Sequence, residues 1–457
     1  MKKTFWDFFS REFEVRFSVS PRDTINARDT QLAGVSLLSP DGEGSFPVKE
    51  EAGIETTFDL LRKLRPDILR FSADSPDFDR WIKFCKAEEI HPHLCFCPDT
   101  DPDKALARIK QCAAEFGGND LWQPIRFYEV LCDPETIRFE DDGMVEERIQ
   151  AVLEFSGMLR ASDPDAKIII GGIAPIGEKR TKAEIWNCGI LQKCPDVMDM
   201  IGVSLQPSLP SERTWDEDAE GIELRVSLAE QVRMGLQRMD RQIRESAPDS
   251  EIRIAVTGWR FLPDAISQKR LDSIYYSAVY RSIRMAGARV MIHESAPLFG
   301  SGSLLRCEDG KVFGDVFYHH QLLVSPDLPV CLEAKEPDFE KPVPVYRWEG
   351  IPGILEGGEL KMAEIHASRS MDGKRLFFLV TNRSPFRRCV MRVRFYDLPD
   401  LHPIRAFIVK SARRQDAVSS EQPENVYCKE VRLGNYRRMN HVTIEIPECT
   451  SVCMLLE

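Results

Sequence analysis

From position 32 onward, short apolar runs alternate with stretches whose apolar residues recur every three or four positions. The runs LAGVSLL (32–38), DILRFS (67–72), HPHLCFC (91–97), IRFYEVL (125–131), AKIIIGG (166–172), DMIGVSL (199–205), IRIAVTGW (252–259) and ARVMIHES (288–295) have the length of strands. Between them, segments such as DFDRWIKFCKAEE, DDGMVEERIQAVLEFSGMLRAS and LRVSLAEQVRMGLQRMDRQIRES carry the helical period. Strands separated by helices of this length pair in parallel through right-handed crossovers. Eight such units in series predict closure into a (β/α)8 TIM barrel over residues 32–335. The three consecutive isoleucines of AKIIIGG suit a strand covered on both faces. A doubly wound open sheet is the competing fold, but no GxGxxG loop follows an early strand.

Beyond the barrel the rhythm changes. KRLFFLVTNRS, RRCVMRVRFYDL, IRAFIVKS, NVYCKEVRL, HVTIEIP and SVCMLLE are separated by short polar turns with no long helix between them. This predicts a C-terminal β-sandwich over residues 336–457. The Gly- and Pro-rich stretch from Trp348 to Gly353 belongs to the crossing between the two units. Residues 1–31 form an N-terminal segment whose alternating EVRFSVSP is expected to add a strand to the sandwich.

Size and composition agree with two or three domains: the chain has 457 residues, of which 43% are hydrophobic and 29% charged. The net charge of -12 argues against nucleic acid as a partner, because no basic surface is implied. The opening MKKTFWDFFSREFEVRF begins like a signal peptide, but Asp7, Arg11 and Glu12 interrupt its apolar run. Neither a secretion signal nor a membrane anchor is expected. Phe5, Trp6, Phe8 and Phe9 suit the apolar side of a short docking helix. Thirteen cysteines in a chain read as unsecreted imply reduced thiols and a cytoplasmic location. His91, His93, Cys95 and Cys97 share one face of a straight strand, but no second Cys/His pair follows at finger-like spacing, so no metal and no cofactor is expected.

Barrel enzymes place their chemistry at the C-terminal ends of the strands. Here those positions hold Ser72-Ala73-Asp74, Asp99, Glu129 with Asp133 and Glu135, Gln206, Thr257-Gly258-Trp259 and His293-Glu294. Opposed carboxylates across such a mouth are what glycoside hydrolysis requires, one as acid/base and the other as nucleophile or base.

The order of the pieces resembles the α-L-arabinofuranosidases of glycoside hydrolase family 51. The resemblance runs over nearly the whole chain and includes DILRFSAD (67–74), RFYEVLCD (126–133), ASDPDAKIIIGG (161–172), MDMIGVSLQ (198–206), IAVTGW (254–259) and HASRSMDGKRLFFLVTNRS (366–384). It implies a retaining barrel glycosidase acting on arabinose-containing carbohydrate. The residues that would do this work are replaced. The family's acid/base glutamate, at the end of Glu-Ile/Val-Gly-Asn-Glu, corresponds to Asp133, and the preceding asparagine to Cys132. Aspartate is a methylene shorter, and a displacement of about 1 Å can cost about 100-fold. The family's nucleophile, in Glu-Trp, corresponds to Gly258, which has no side chain to form a covalent intermediate. The sixth strand ends in Ser204-Leu205-Gln206 where the family has Ser-Leu-His, and the family glutamate near the end of the first strand is matched by Leu37 or Leu38. Arg70, Glu129 and Trp259 survive.

Three functional classes follow. The first is a non-catalytic relative that binds carbohydrate or a protein partner through the old cleft, with Arg70, Asp74, Cys132, Gln206 and Trp259 as its substrate-binding residues. The second is a glycosidase with relocated carboxylates, Asp133 as acid/base and Glu294 as nucleophile or base. The third is a structural or assembly subunit, in a homo-oligomer or beside an active homologue. Plainer roles compete at each position: Glu129 as a structural carboxylate paired with Arg70, Glu294 paired with His293 or an arginine, Asp74 and Asp99 as helix caps, Cys132 as an inert filler and Trp259 as packing at the rim.

Overall fold

The computed structural model describes residues 12–26, 32–38, 50–97, 100–116, 122–130, 139, 142–205, 219–259, 268–286, 289–295, 297–299, 302–336, 343, 345–351, 355–397, 401–413, 415–431 and 441–457. The docking helix expected near the N-terminus, Asp99, Cys132, Asp133, Glu135 and Gln206 lie outside them.

The first described element is β1 (Glu12–Asn26), which does not enter the barrel. The closed barrel follows: β2 (Leu32–Ser36), β3 (Ile68–Ser72), β4 (His91–Phe96), β5 (Phe127–Val130), β6 (Lys167–Gly171), β7 (Met200–Leu205), β8 (Arg253–Trp259) and β9 (Val290–Ser295), in that order. Strand β2 pairs in parallel with both β3 and β9, which closes the ring. The helices between and after these strands are α1 (Glu51–Leu64), α2 (Phe78–Ala87), α3 (Pro102–Phe116), α4 (Asp142–Ser162), α5 (Arg180–Lys193), α6 (Ala219–Ser246), α7 (Ser273–Met285) and α8 (Val316–Val324).

Local sequence explains these elements. In α1, Ile54, Phe58, Leu61 and Leu64 fall three or four positions apart and are all buried, so one stripe meets the sheet. The helix ends at Arg65, which takes the left-handed conformation (φ 50°) and returns its N–H to the Leu61 carbonyl. In β6, Ile168, Ile169 and Ile170 are all fully buried, because one face meets the barrel interior and the other the helices.

The remaining strands build a nine-stranded curled mixed sheet, the C-terminal β-sandwich-like domain. It contains β1, β12 (Val330–Lys335), β15 (Ala363–Arg369), β16 (Leu376–Asn382), β17 (Arg388–Phe395), β18 (Pro403–Lys410), β19 (Tyr427–Glu430), β20 (His441–Ile446) and β21 (Thr450–Leu456). Two hairpins stand apart from it, β10 (Leu305–Glu308) with β11 (Lys311–Gly314) and β13 (Val345–Ile351) with β14 (Leu355–Lys361). Strand β1 pairs in parallel with β17 and antiparallel with β12. The segment Val330–Lys335 falls within the expected barrel span, yet it joins this sheet because β1 and β15 flank it on both sides. Alternation along β17 and β20 sends Cys389, Met391, Val393, Val442, Ile444 and Ile446 into a second core. Among the described residues, no helix is long and apolar enough to cross a membrane.

Candidate functional site in the barrel interior

Every second residue of a barrel strand points inward. Ile68, Phe127, Ile169, Met200, Ala255 and Ile292 do so near the N-terminal end and form a separate apolar floor. Two residues further along, the same strands supply Arg70, Glu129, Gly202, Thr257 and Glu294, and β4 adds His93 and Cys95. The barrel interior therefore changes from a dry floor to a charged layer within one pleat.

That layer is tightly connected. Arg70 Nε donates to Glu129 Oε2 at 2.7 Å and its Nη1 donates to Ser36 Oγ at 3.0 Å. His93 lies between the two carboxylates, with Nδ1 2.8 Å from Glu294 Oε1 and Nε2 3.1 Å from Glu129 Oε2. Cys95 Sγ is 3.3 Å from the same Glu129 oxygen, and Arg70 Nε is 3.7 Å from Glu294 Oε2. His93 and Glu294 have no solvent exposure, and Glu129 is 2% exposed.

The electrostatics follow from this packing. Burial works against ionisation of Glu129, but Arg70 and His93 outweigh it and hold the carboxyl well below its ordinary range. For Glu294, burial wins and its affinity for a proton rises, although His93 and Arg70 oppose the shift. Burial would lower the His93 imidazole, yet the Glu294 carboxylate bonded to it and the Glu129 carboxylate beside it lift it above its usual value. The Cys95 thiol is pushed far up, by burial first.

Two glycines make room for this layer. A Cβ on Gly34 would run into Ile68 Cγ2 and lie 2.9 Å from both Glu294 Cγ and the Ile68 carbonyl oxygen. One on Gly202 would lie 2.9 Å from Ile169 Cγ2 and 3.3 Å from Glu129 Oε1. Gly34→Ala is accordingly expected to lose about 1–3 kcal/mol through overpacking. Chemical denaturation would measure this, and an unchanged midpoint would show that the Glu294 and Ile68 side chains and the Ile68 backbone shift freely.

The sequence-predicted residues are spread over different surroundings. Arg70 and Glu294 meet inside the barrel, and Arg70 pairs with Glu129. Glu294 engages His93 across the barrel, whereas His293 faces outward with its ring 5.7 Å from Tyr280. Asp74 is apart from the layer, on the loop after β3, in an ion pair with Lys104 at 2.6 Å. Trp259 is 2% exposed and packs against Tyr276 of α7, ring centroids 4.3 Å apart. Residues the sequence reading passed over are Ser36, Gly34, Gly202 and Cys95 as a contact of Glu129. The parity of HPHLCFC was the available signal, since it sets His93 and Cys95 on one face of β4.

At the mouth above, β7 and β8 slip in register. Val203 pairs with Val256 and Ser204 with Gly258, which leaves Thr257 as the extra residue. Ser204 is exposed and Gly258 half-buried. Among the described residues, a Cβ on Gly258 would meet only Ser204 Oγ, at 3.6 Å, at the position where the resemblance places a nucleophile. A cleft of about 820 Å³ opens at the opposite, N-terminal end, lined by residues that include Lys167, Asp199, Met200, Arg253 and Met291. The apolar floor separates it from the charged layer, so its size does not make it the site of barrel chemistry.

No protein-family model and no curated protein sequence matches the chain. Solved structures do. The α-L-arabinofuranosidase from Thermotoga maritima, in complex with arabinose, is 15% identical with a TM-score of 0.72, over 96% of this chain and 99% of that one. A family 51 α-L-arabinofuranosidase from Bifidobacterium longum is 11% identical with a TM-score of 0.75, over 97% of this chain and 99% of that one. A family 44 xyloglucanase from Paenibacillus polymyxa is 9% identical with a TM-score of 0.62, over 97% and 99%. At these identities the likeness is one of fold: the chain has a glycoside hydrolase-like architecture, related in fold to arabinofuranosidases, with a TIM barrel and a C-terminal β-sandwich-like domain.

Proposed function

We propose that this chain is a non-catalytic, glycoside hydrolase-like protein that binds an arabinose-containing carbohydrate at the C-terminal mouth of its barrel. The observation that carries this reading is Gly258: the end of β8 bears no side chain, and among the described residues a Cβ there would make only an ordinary contact with Ser204. Glu294 on the neighbouring strand does not replace it as it stands, because it is fully buried and engaged with His93 and Arg70. A nucleophile needs surface facing the anomeric carbon. The choice of sugar draws on the arabinose in the Thermotoga maritima complex and on the shared fold.

Calorimetric titration with arabinose and arabino-oligosaccharides, alongside hydrolysis of aryl furanosides and pyranosides, tests the proposal. Saturable binding is expected, with no turnover beyond that of Asp133→Ala and Glu294→Gln. Gly258→Leu should weaken binding at least about tenfold, or about 1.4 kcal/mol, by filling the mouth beside Ser204. It should change stability by less than about 1 kcal/mol, since among the described residues the added Cβ makes only an ordinary contact with Ser204 Oγ. Turnover lost in both carboxylate variants would instead establish a relocated pair. Absence of binding to every sugar would point to an assembly subunit.

A further inference from the structure

The contact between His93 and Glu129 is unusual in one respect. His93 Nδ1 is committed to Glu294 Oε1 at 2.8 Å, which leaves Nε2 to face Glu129 Oε2 at 3.1 Å. Nε2 is fully buried, yet its approach to that oxygen does not have hydrogen-bond geometry. A ring nitrogen and a carboxylate oxygen held this close call for a cation between them, a metal ion or a proton. Cys95 Sγ converges on the same oxygen from 3.3 Å, and the three ligand atoms lie within 4.8 Å of one another.

We propose that His93 Nε2, Cys95 Sγ and Glu129 Oε2 bind a divalent transition-metal ion, zinc by ligand type, inside the barrel. Zinc bonds of about 2.0–2.3 Å at tetrahedral angles separate neighbouring ligand atoms by about 3.3–3.6 Å. The observed separations of 3.1 and 3.3 Å are close to those edges. The Glu294 carboxylate behind His93 is the outer partner that metal-bound histidines commonly have; it fixes the tautomer that frees Nε2. Arg70 does not exclude the ion, because a carboxylate oxygen has two lone pairs and Arg70 occupies one side of Oε2. On binding, the Cys95 S–H bond breaks, its proton leaves to solvent and the sulfur's electron pair goes to the metal. The layer then holds a dication and a guanidinium against two carboxylates and a thiolate, which is neutral. Three protein ligands leave a fourth position open. The inference concerns the layer beneath the mouth and stands independently of sugar binding there.

The test uses the full chain expressed with zinc or with cobalt, so that metal is available as the barrel closes. Equimolar metal is expected in each preparation, and the cobalt protein should show a thiolate-to-cobalt charge-transfer band. That band should persist in Cys97→Ser and vanish in Cys95→Ser. Glu294→Gln should keep the stoichiometry at saturation while weakening affinity about 10–100-fold. X-ray absorption of the wild-type zinc protein gives a reading that needs no variant, with one sulfur expected among the nitrogen and oxygen neighbours. Metal far below equimolar, a band that survives Cys95→Ser, or an inner shell without sulfur would overturn the assignment and leave a proton between His93 and Glu129.

Discussion

Replacing Arg70 with methionine is expected to destabilise the protein by about 3–5 kcal/mol, the usual cost of leaving a buried charge without its partner. Arg70 is buried, bonds Glu129 at 2.7 Å and faces Glu294 at 3.7 Å. Methionine keeps the volume of the stem but supplies no charge and no donor, so two carboxylates remain in a closed interior with one positive partner fewer. Ser36 Oγ also loses its donor. The pair Arg70→Met/Glu129→Gln provides the sharper measurement. If the loss in the single variant comes from Glu129 left unpaired, removing its charge as well should recover part of it, with a coupling of about 0.5–3 kcal/mol in a double-mutant cycle. Denaturant midpoints for wild type, both singles and the double give the four corners. Additive losses would mean that the two side chains stabilise the barrel separately and that the ion pair contributes little.

This layer also marks how far the sequence alone can be read. All eight barrel strands are legible in it, displaced by a residue or two at their ends, because each is an apolar run of fixed length between amphipathic helices. The placement of Val330–Lys335 is not, because VCLEAK has no local feature that chooses a barrel over a flanking sheet. Its partners β1 and β15 come from opposite parts of the chain. The Arg70–Glu129 contact can be anticipated, since a charge in the middle of a barrel strand needs a partner and neighbouring strands offer few. The contact between His93 and Glu294 cannot be. The strands that carry them are 201 positions apart and become neighbours across the interior only through the stagger of the closed barrel. Gly34 and Gly202 show the same limit. Each reads as an ordinary strand glycine until the bulky side chain that fills its space, Ile68 or Ile169, is known along with the carboxylate beside it.

A second buried acid joins the barrel to the β-domain, and its loss should make the protein's stability respond less to acid. Asp327, after α8, accepts from Tyr280 Oη at 2.5 Å and from the Ser368 hydroxyl, meets His366 Nε2 at 3.0 Å and pairs with Arg284 Nε at 2.9 Å. Tyr280 and Arg284 belong to α7 of the barrel, whereas His366 and Ser368 belong to β15 of the sheet. Burial opposes its charge, but Arg284, His366 and Ser368 together hold the carboxyl far below its ordinary range. A carboxyl with a depressed folded value contributes its stability above the unfolded value of about 3.9, and that contribution is lost as pH falls toward the folded value. Asp327→Asn keeps the size, but its single carbonyl oxygen can accept from Tyr280 or from Ser368 and not from both, and the charge that faces Arg284 is gone. At neutral pH the variant should be less stable by about 3–5 kcal/mol. As pH falls below about 4 the gap should narrow progressively, because the unfolded chain then takes up a proton that folded Asp327 resists and the wild type loses what the variant never had. Urea midpoints measured from neutral pH down to the acid limit decide the matter. A gap that stays constant through the acid range would show that Asp327 acts through its hydrogen bonds and shape, with its charge contributing nothing to the junction.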